Sequence, residues 1–224
     1  MEFIYECEDV FPVSFCNRVI EKFEKSDLKF MGITGSAKNS YSKHSKKQSI
    51  DLMIYDEPEW VEEEKYFHVM IRKAMKKYET FLSKMDVDNE VKKDMSELLM
   101  NSHIHTPQIQ RTEPGQYYHW HHDQPFVPPN WQLFTYIIYL NDVEKDSGGT
   151  TDFSCGKIIQ PKVGKIVFFP CTFTYFHRGK TLEKGIKYIA TNSLMREHPR
   201  KIIISAKEIR EQNKPVLPFI ISRD

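Results

Sequence analysis

The feature that most limits the fold of this chain is a change of texture near residue 104. From there on, short β-rich runs follow one another: HIHTPQIQ, QLFTYIIYL, GKIIQP, GKIVFFP, IKYIATNSL, KIIIS and LPFIIS. Gly, Pro, Asn and Asp separate them, and many short strands at close spacing predict a β-sandwich or barrel of about seven or eight strands. The preceding residues read differently. In VSFCNRVIEKFEKS, Phe15, Val19, Ile20 and Phe23 recur at helical spacing behind Ser14, a residue suited to an N-cap. Residues 58–85 carry the longest helical stripe, with Phe67, Met70, Ala74, Tyr78 and Phe81 on one face, and a short helix is predicted over Val91–Met100. Helices first and strands afterwards predict an α+β, mainly β, protein with its N-terminal helices packed on one sheet. The 224 residues suffice for a single domain, with 1–100 as helical support and 101–224 as the β-rich core.

Between the first two helices lies MGITGSAKNSYSKHSKKQ, residues 31–48, which has no periodicity and reads as a solvated loop. Its lysines Lys38, Lys43, Lys46 and Lys47 could meet an acidic partner. The chain as a whole is balanced, with 32 Lys+Arg against 31 Asp+Glu, so no global field draws it to nucleic acid or to a membrane. Cys7, Cys16, Cys155 and Cys171 are scattered and form no C-x-x-C pair, which predicts free thiols in a reducing compartment. The acidic N-terminus has no signal-peptide pattern and no apolar run nears the length of a membrane span, so a cytoplasmic protein is expected.

Five of the nine histidines fall between His103 and His122, and there the chemistry concentrates. Within GQYYHWHHD, His121-x-Asp123 puts an imidazole and a carboxylate on one face of a strand, because side chains alternate. Alone, such a tripeptide is weak, since it arises often by chance. Downstream, His177 closes the apolar run GKIVFFP and a short turn. Two histidines and a carboxylate make the facial triad of non-haem iron(II) oxygenases, leaving positions for a chelating 2-oxo acid and O₂. Lys187 follows ten positions after His177, on the next strand and in phase with Ile189 and Thr191. A lysine there can hold the far carboxylate of a dicarboxylic co-substrate, whereas a buried lysine with no partner would be costly.

Around these residues the chain resembles the prolyl 4-hydroxylase-like branch of the 2-oxoglutarate/Fe(II) dioxygenase superfamily. The resemblance runs from about residue 105 to 196 in ordered pieces: Gly115-x-x-Tyr118-x-x-His121-x-Asp123, then Thr135 to Asn141, then Ser147-Gly148-Gly149-x-Thr151-x-Phe153, then Pro161 to Phe169, His177 and Lys187. It implies a double-stranded β-helix, or jelly roll, with Fe(2+), 2-oxoglutarate and O2 as cofactors and ascorbate as a further one. It implies His121, Asp123 and His177 as metal ligands, with Lys187, Tyr136, Thr151 and Thr191 lining the co-substrate pocket. Thr112 stands where the family often has a tyrosine before its Pro-Gly pair, and Tyr118 or Tyr136 would supply that contact. Thr181 stands where the family often has a proline after the second histidine.

Neighbours of the triad read less sharply. His119 shares the face of His121 by alternation, His122 points the other way, and Trp120 is expected to pack beneath the strand. Arg178 is a candidate substrate contact, and the loop Pro125–Trp131 should border the mouth. Three functions follow from the residues and the resemblance. The first is hydroxylation of a protein or peptide at proline. The second is the same chemistry on a small molecule or nucleic-acid base. The third is a non-catalytic metal-binding barrel, against which an intact triad and Lys187 both speak.

Overall fold

The computed structural model describes residues 2–32, 46–124 and 132–196. The runs KIIIS and LPFIIS, the loop Pro125–Trp131, and Lys38 and Lys43 lie outside these residues. Among the described residues the α-helices are α1 (Val13–Lys25), α2 (Val61–Ser83), which a 3-10 turn at Pro58–Trp60 leads into, and α3 (Asn89–Met100). The strands are β1 (Tyr5–Cys7), β2 (Phe30–Met31), β3 (Ile50–Met53), β4 (His103–Ile104), β5 (Gln108–Thr112), β6 (Tyr118–His121), β7 (Gln132–Tyr139), β8 (Thr151–Phe153), β9 (Ile158–Ile159), β10 (Ile166–Pro170), β11 (His177–Gly179) and β12 (Lys187–Met195). Ser14 does not cap α1: Pro12 holds the N-cap position with no side-chain cap, and its fixed φ suits the entry to the helix. Asp88 does cap α3, accepting from the Glu90 amide.

The strands form two antiparallel sheets, the layout expected of the double-stranded β-helix. The larger runs β1-β10-β7-β12-β5-β3-β2, with β4 also on β12; the smaller runs β6-β11-β8-β9. One core fills the space between the helices and the larger sheet, where Trp60, Phe67, Tyr78, Phe23, Ile138, Phe168 and Ala190 are buried. A second lies inside the barrel, with Ile137, Tyr139, Phe153, Val167 and Phe169. Both faces of β7 and β10 are therefore covered, which is why TYIIYL and KIVFF read as unbroken apolar runs. Gly148 makes the turn into β8 at φ +71, and a Cβ there would meet the Thr181 carbonyl oxygen at 2.0 Å. Among the described residues no helix is long and apolar enough to cross a membrane.

Two expectations change here. Strands β1 to β3 come from the N-terminal third, which reads as helix and loop; they are short, and Asp51 interrupts the apolar pattern of β3. Lys47 is not a solvated loop lysine. It is buried, ion-paired to Asp51 at 2.6 Å, and bridged to Tyr118 on β6.

Candidate metal centre

Neighbouring strands of the smaller sheet bring the histidines together. His177 on β11 lies opposite His121 on β6, and their rings are 4.2 Å apart at the centroids. Asp123, just past β6, places Oδ1 3.4 Å from His121 Nε2 and Oδ2 3.7 Å from His177 Nε2. These three residues can offer ligand atoms within 4.8 Å of one another, and no other such cluster occurs among the described residues.

The hydrogen bonds around the cluster prepare it for a cation. His121 Nδ1 donates to the His119 carbonyl at 2.7 Å and His177 Nδ1 to the Tyr175 carbonyl at 3.1 Å. A carbonyl can only accept, so each Nδ1 carries the proton and each Nε2 presents its lone pair to Asp123 and the shared locus. The Thr135 hydroxyl on β7 donates to Asp123 Oδ2 at 2.6 Å and fixes the carboxylate. Burial would raise the Asp123 carboxyl, but His177, His121 and Thr135 outweigh it and hold it well below the usual range. Burial, with His121 adding, pushes His177 down to about 4 against the pull of Asp123, so its imidazole is neutral. Two imidazoles and an ionised carboxylate, with each Nδ1 tied back to a carbonyl, fit a divalent ion such as iron(II).

Lys187 enters from the first position of β12 and is buried, with Nζ donating to the Gly149 carbonyl at 2.8 Å. Burial draws its ammonium down to about 8, partly offset by Asp152. Thr191 shares the inward face, since it pairs with Ile137; its hydroxyl donates to the Tyr136 carbonyl at 2.7 Å. Thr151 faces the same interior, where its hydroxyl accepts from Tyr139 at 2.7 Å.

Tyr136 does not face this pocket. Thr135, Ile137 and Tyr139 set the inward phase of β7, and Tyr136 falls on the helix side against Phe168, its hydroxyl bonded to the His105 carbonyl. Tyr139, which sequence reasoning passed over, is the β7 tyrosine that reaches the interior. Arg178 also turns away from the triad. Alternation sends it to the outer face of β11, where Asp152 takes its Nε and Nη2 at 3.0 and 2.9 Å and Trp120 lies 4.9 Å beneath it. Trp120 is accordingly 45% exposed rather than packed beneath the strand.

Tyr118 is placed by an irregularity. Between the pairs His177–His121 and Gly179–Tyr118 the register shifts, so one residue of β11, Arg178, faces two of β6, His119 and Trp120. This bulge turns Tyr118 onto the face of His121, against which its ring stacks at 3.5 Å, and leaves His119 exposed over Tyr117. Gly179 opposite Tyr118 was also missed. A Cβ there would lie 3.5 Å from Tyr118 Cβ and 3.8 Å from Lys187 Nζ, so any longer side chain would enter the space between them.

Residues 107–194 match the family model of the 2OG-Fe(II) oxygenase superfamily. No curated protein matches the chain in sequence. Among solved structures, the chain is similar to a viral collagen prolyl hydroxylase from Paramecium Bursaria Chlorella virus-1, crystallised as its 2OG complex, with TM-score 0.58, 19% identity, and 88% of this chain and 97% of that chain covered. It is also similar to a Pseudomonas putida prolyl-4-hydroxylase, with TM-score 0.59, 12% identity and coverages of 88% and 95%. A prolyl hydroxylase from Trichoplax adhaerens, bound to a hypoxia inducible factor oxygen degradation domain peptide fragment, matches with TM-score 0.65, 14% identity and coverages of 87% and 84%.

Proposed function

We propose that this chain, whose residues 107–194 match the family model of the 2OG-Fe(II) oxygenase superfamily, hydroxylates a prolyl residue of a protein or peptide. The enzyme is a 2-oxoglutarate- and iron(II)-dependent dioxygenase. The observation that carries the site assignment is the convergence of His121 Nε2, His177 Nε2 and the Asp123 carboxylate on one locus. In this reading those three residues hold the iron. When bound, iron(II) and 2-oxoglutarate supply the oxygen chemistry, in which O₂ gives one atom to a substrate C–H bond and the other to succinate as CO₂ leaves.

The protein's own groups set position and charge. Asp123 stays ionised, and Thr135 holds its carboxylate in register with the two imidazoles. Lys187, whose Nζ donates to the Gly149 carbonyl, would hold the distal carboxylate of 2-oxoglutarate as a charge-assisted pair, a stronger acceptor than a carbonyl. Thr151 and Thr191 offer hydroxyl oxygens on the same inward face, and Phe153 and Phe169 beside His177 exclude water. Proline as the target is supported by the similar structures, which are prolyl hydroxylases, one of them bound to a peptide.

The test is succinate release with iron(II), 2-oxoglutarate and ascorbate, with and without a proline-rich peptide. Stimulation by the peptide and a mass gain of ~16 Da, one oxygen atom, are expected. Uncoupled turnover that the peptide leaves unchanged would turn the search to small molecules or nucleic-acid bases. Full turnover by Asp123→Ala would show that the assigned ligands are wrong.

A further inference from the structure

Another buried cation besides Lys187 lies over the Tyr118 ring. Lys47 and Asp51 are almost wholly enclosed, with side chains 3% and 2% exposed. Lys47 Nζ bonds Asp51 Oδ2 at 2.6 Å, and the Ser49 hydroxyl satisfies Oδ1 at 2.7 Å. Such a pair returns little net stability, because desolvating both charges offsets their attraction. What it does instead is fix geometry. Lys47 Nζ sits 5.5 Å from the Tyr118 ring, and Tyr118 stacks on His121. The Gln48 amide donates to the Tyr117 carbonyl at 2.8 Å, so backbone and side chain both fasten this segment to β6. On its other side Gly32 donates to the Ser49 carbonyl at 2.8 Å, and a Cβ on Gly32 would meet Ser49 Oγ at 2.2 Å.

We infer that Lys47 and Asp51 are positioning residues for the metal centre, acting through Tyr118 on His121. The β6 bulge explains the need. A bulged strand has lost part of its ladder and does not hold its side chains by register alone. The ion pair, anchored in β3 through Asp51, supplies a rigid backing for the displaced tyrosine. The inference rests on reading His121 as a metal ligand.

The test uses manganese(II), a redox-stable stand-in for iron(II), titrated by the resonance signal of the free ion. Lys47→Met alone would strand a buried carboxylate and unfold the chain, so the informative variant is K47M/D51L, which removes both charges. It should melt within a few degrees of the wild type yet bind manganese(II) roughly 10-fold more weakly, the cost typical of losing a group that orients a ligand. Turnover should fall while KM for 2-oxoglutarate stays, since Lys187 is untouched. A K47M/D51L protein with wild-type manganese(II) affinity would overturn the inference. His121→Ala is the control: wild-type manganese(II) binding there would sink the metal-site reading itself. Hydrogen exchange on the wild-type chain gives a measurement that does not depend on any variant folding. Manganese(II) should slow exchange over residues 46–51 as well as 117–121, and protection confined to 117–121 would refute the coupling.

Discussion

Among the described residues the larger sheet is covered on both faces, whereas the smaller is covered on one. Helices α1 and α2 close the outer face of the larger sheet with Phe23, Phe67, Trp60 and Tyr78, all wholly buried. The outer face of the smaller sheet carries Trp120, Arg178 and Ile158 in one cross-strand row, and Ile158 is 64% exposed. The metal-ligand candidates all belong to the smaller sheet or its rim, at His121, Asp123 and His177. The larger sheet sends across Thr135, which bonds the Asp123 carboxylate, and Tyr139, Lys187 and Thr191, which face the interior beside it and would line the proposed co-substrate space. The contrast teaches that the buried apolar packing and the proposed metal ligands fall on different sheets, and in the proposed reading the co-substrate would sit at their seam. Substitutions should then separate the two properties.

The largest effect tests the covered face. Tyr78 stacks on Phe168 at 5.4 Å and Tyr5 at 5.6 Å, meets Phe134 edge-on at 5.8 Å, and bonds the Phe3 carbonyl at 2.7 Å. Tyr78→Ala should cost about 3–5 kcal/mol, read from denaturant melts. At a temperature where the variant is still folded, manganese(II) affinity per folded molecule should match the wild type. Loss of metal binding in the folded variant would break the proposed division between the sheets.

That division was only partly legible in the sequence. The strands β7 and β10 announce themselves because both faces are buried, and a run such as IVFF has few other uses. The three triad positions stand out because histidine and aspartate at alternate strand positions, followed by a histidine after an apolar strand, form a pattern tied to one chemistry. What stayed hidden depends on register. A bulge adds one residue to one strand and leaves no mark on composition, so alternation put His119 on the face of His121, where the structure puts Tyr118 instead. Tyr136 and Tyr139 are equally aromatic and differ only in phase, which Thr135 fixes through its bond to Asp123. Lys47 sits among other lysines, and only folding reveals that Asp51 four residues later buries it.

The middle effect falls on the seam. Gly179 has an ordinary backbone, and a methyl group fits beside Tyr118 and Lys187, so Gly179→Ala should be nearly silent. Gly179→Val would push further into the space in front of Lys187 Nζ. KM for 2-oxoglutarate should rise by roughly 10-fold, about 1.4 kcal/mol, with manganese(II) affinity unchanged. An equal loss of metal affinity would mean that the ligand set and the co-substrate space are one unit rather than two contributions meeting at an edge.

The smallest effect is a pH response that separates binding from stability at one residue. Burial lowers the Lys187 ammonium from its ordinary 10.5 to about 8. Only the charged form pairs with the distal carboxylate, so apparent affinity for 2-oxoglutarate scales with the charged fraction. Between about pH 7 and about pH 8.5 that fraction, and hence the affinity, should fall roughly fourfold. The stability term has the opposite sign. Between about 8 and 10.5 the unfolded chain holds the proton that the folded chain has released, so the Lys187 contribution to stability rises with pH. Co-substrate KM should therefore climb over the window in which this residue makes the apo protein more stable. Lys187→Met should flatten both responses, because a neutral side chain of similar length fills the space without titrating. If the KM rise persisted in Lys187→Met, the pH response would belong to another group, and the seam would have to be anchored from elsewhere.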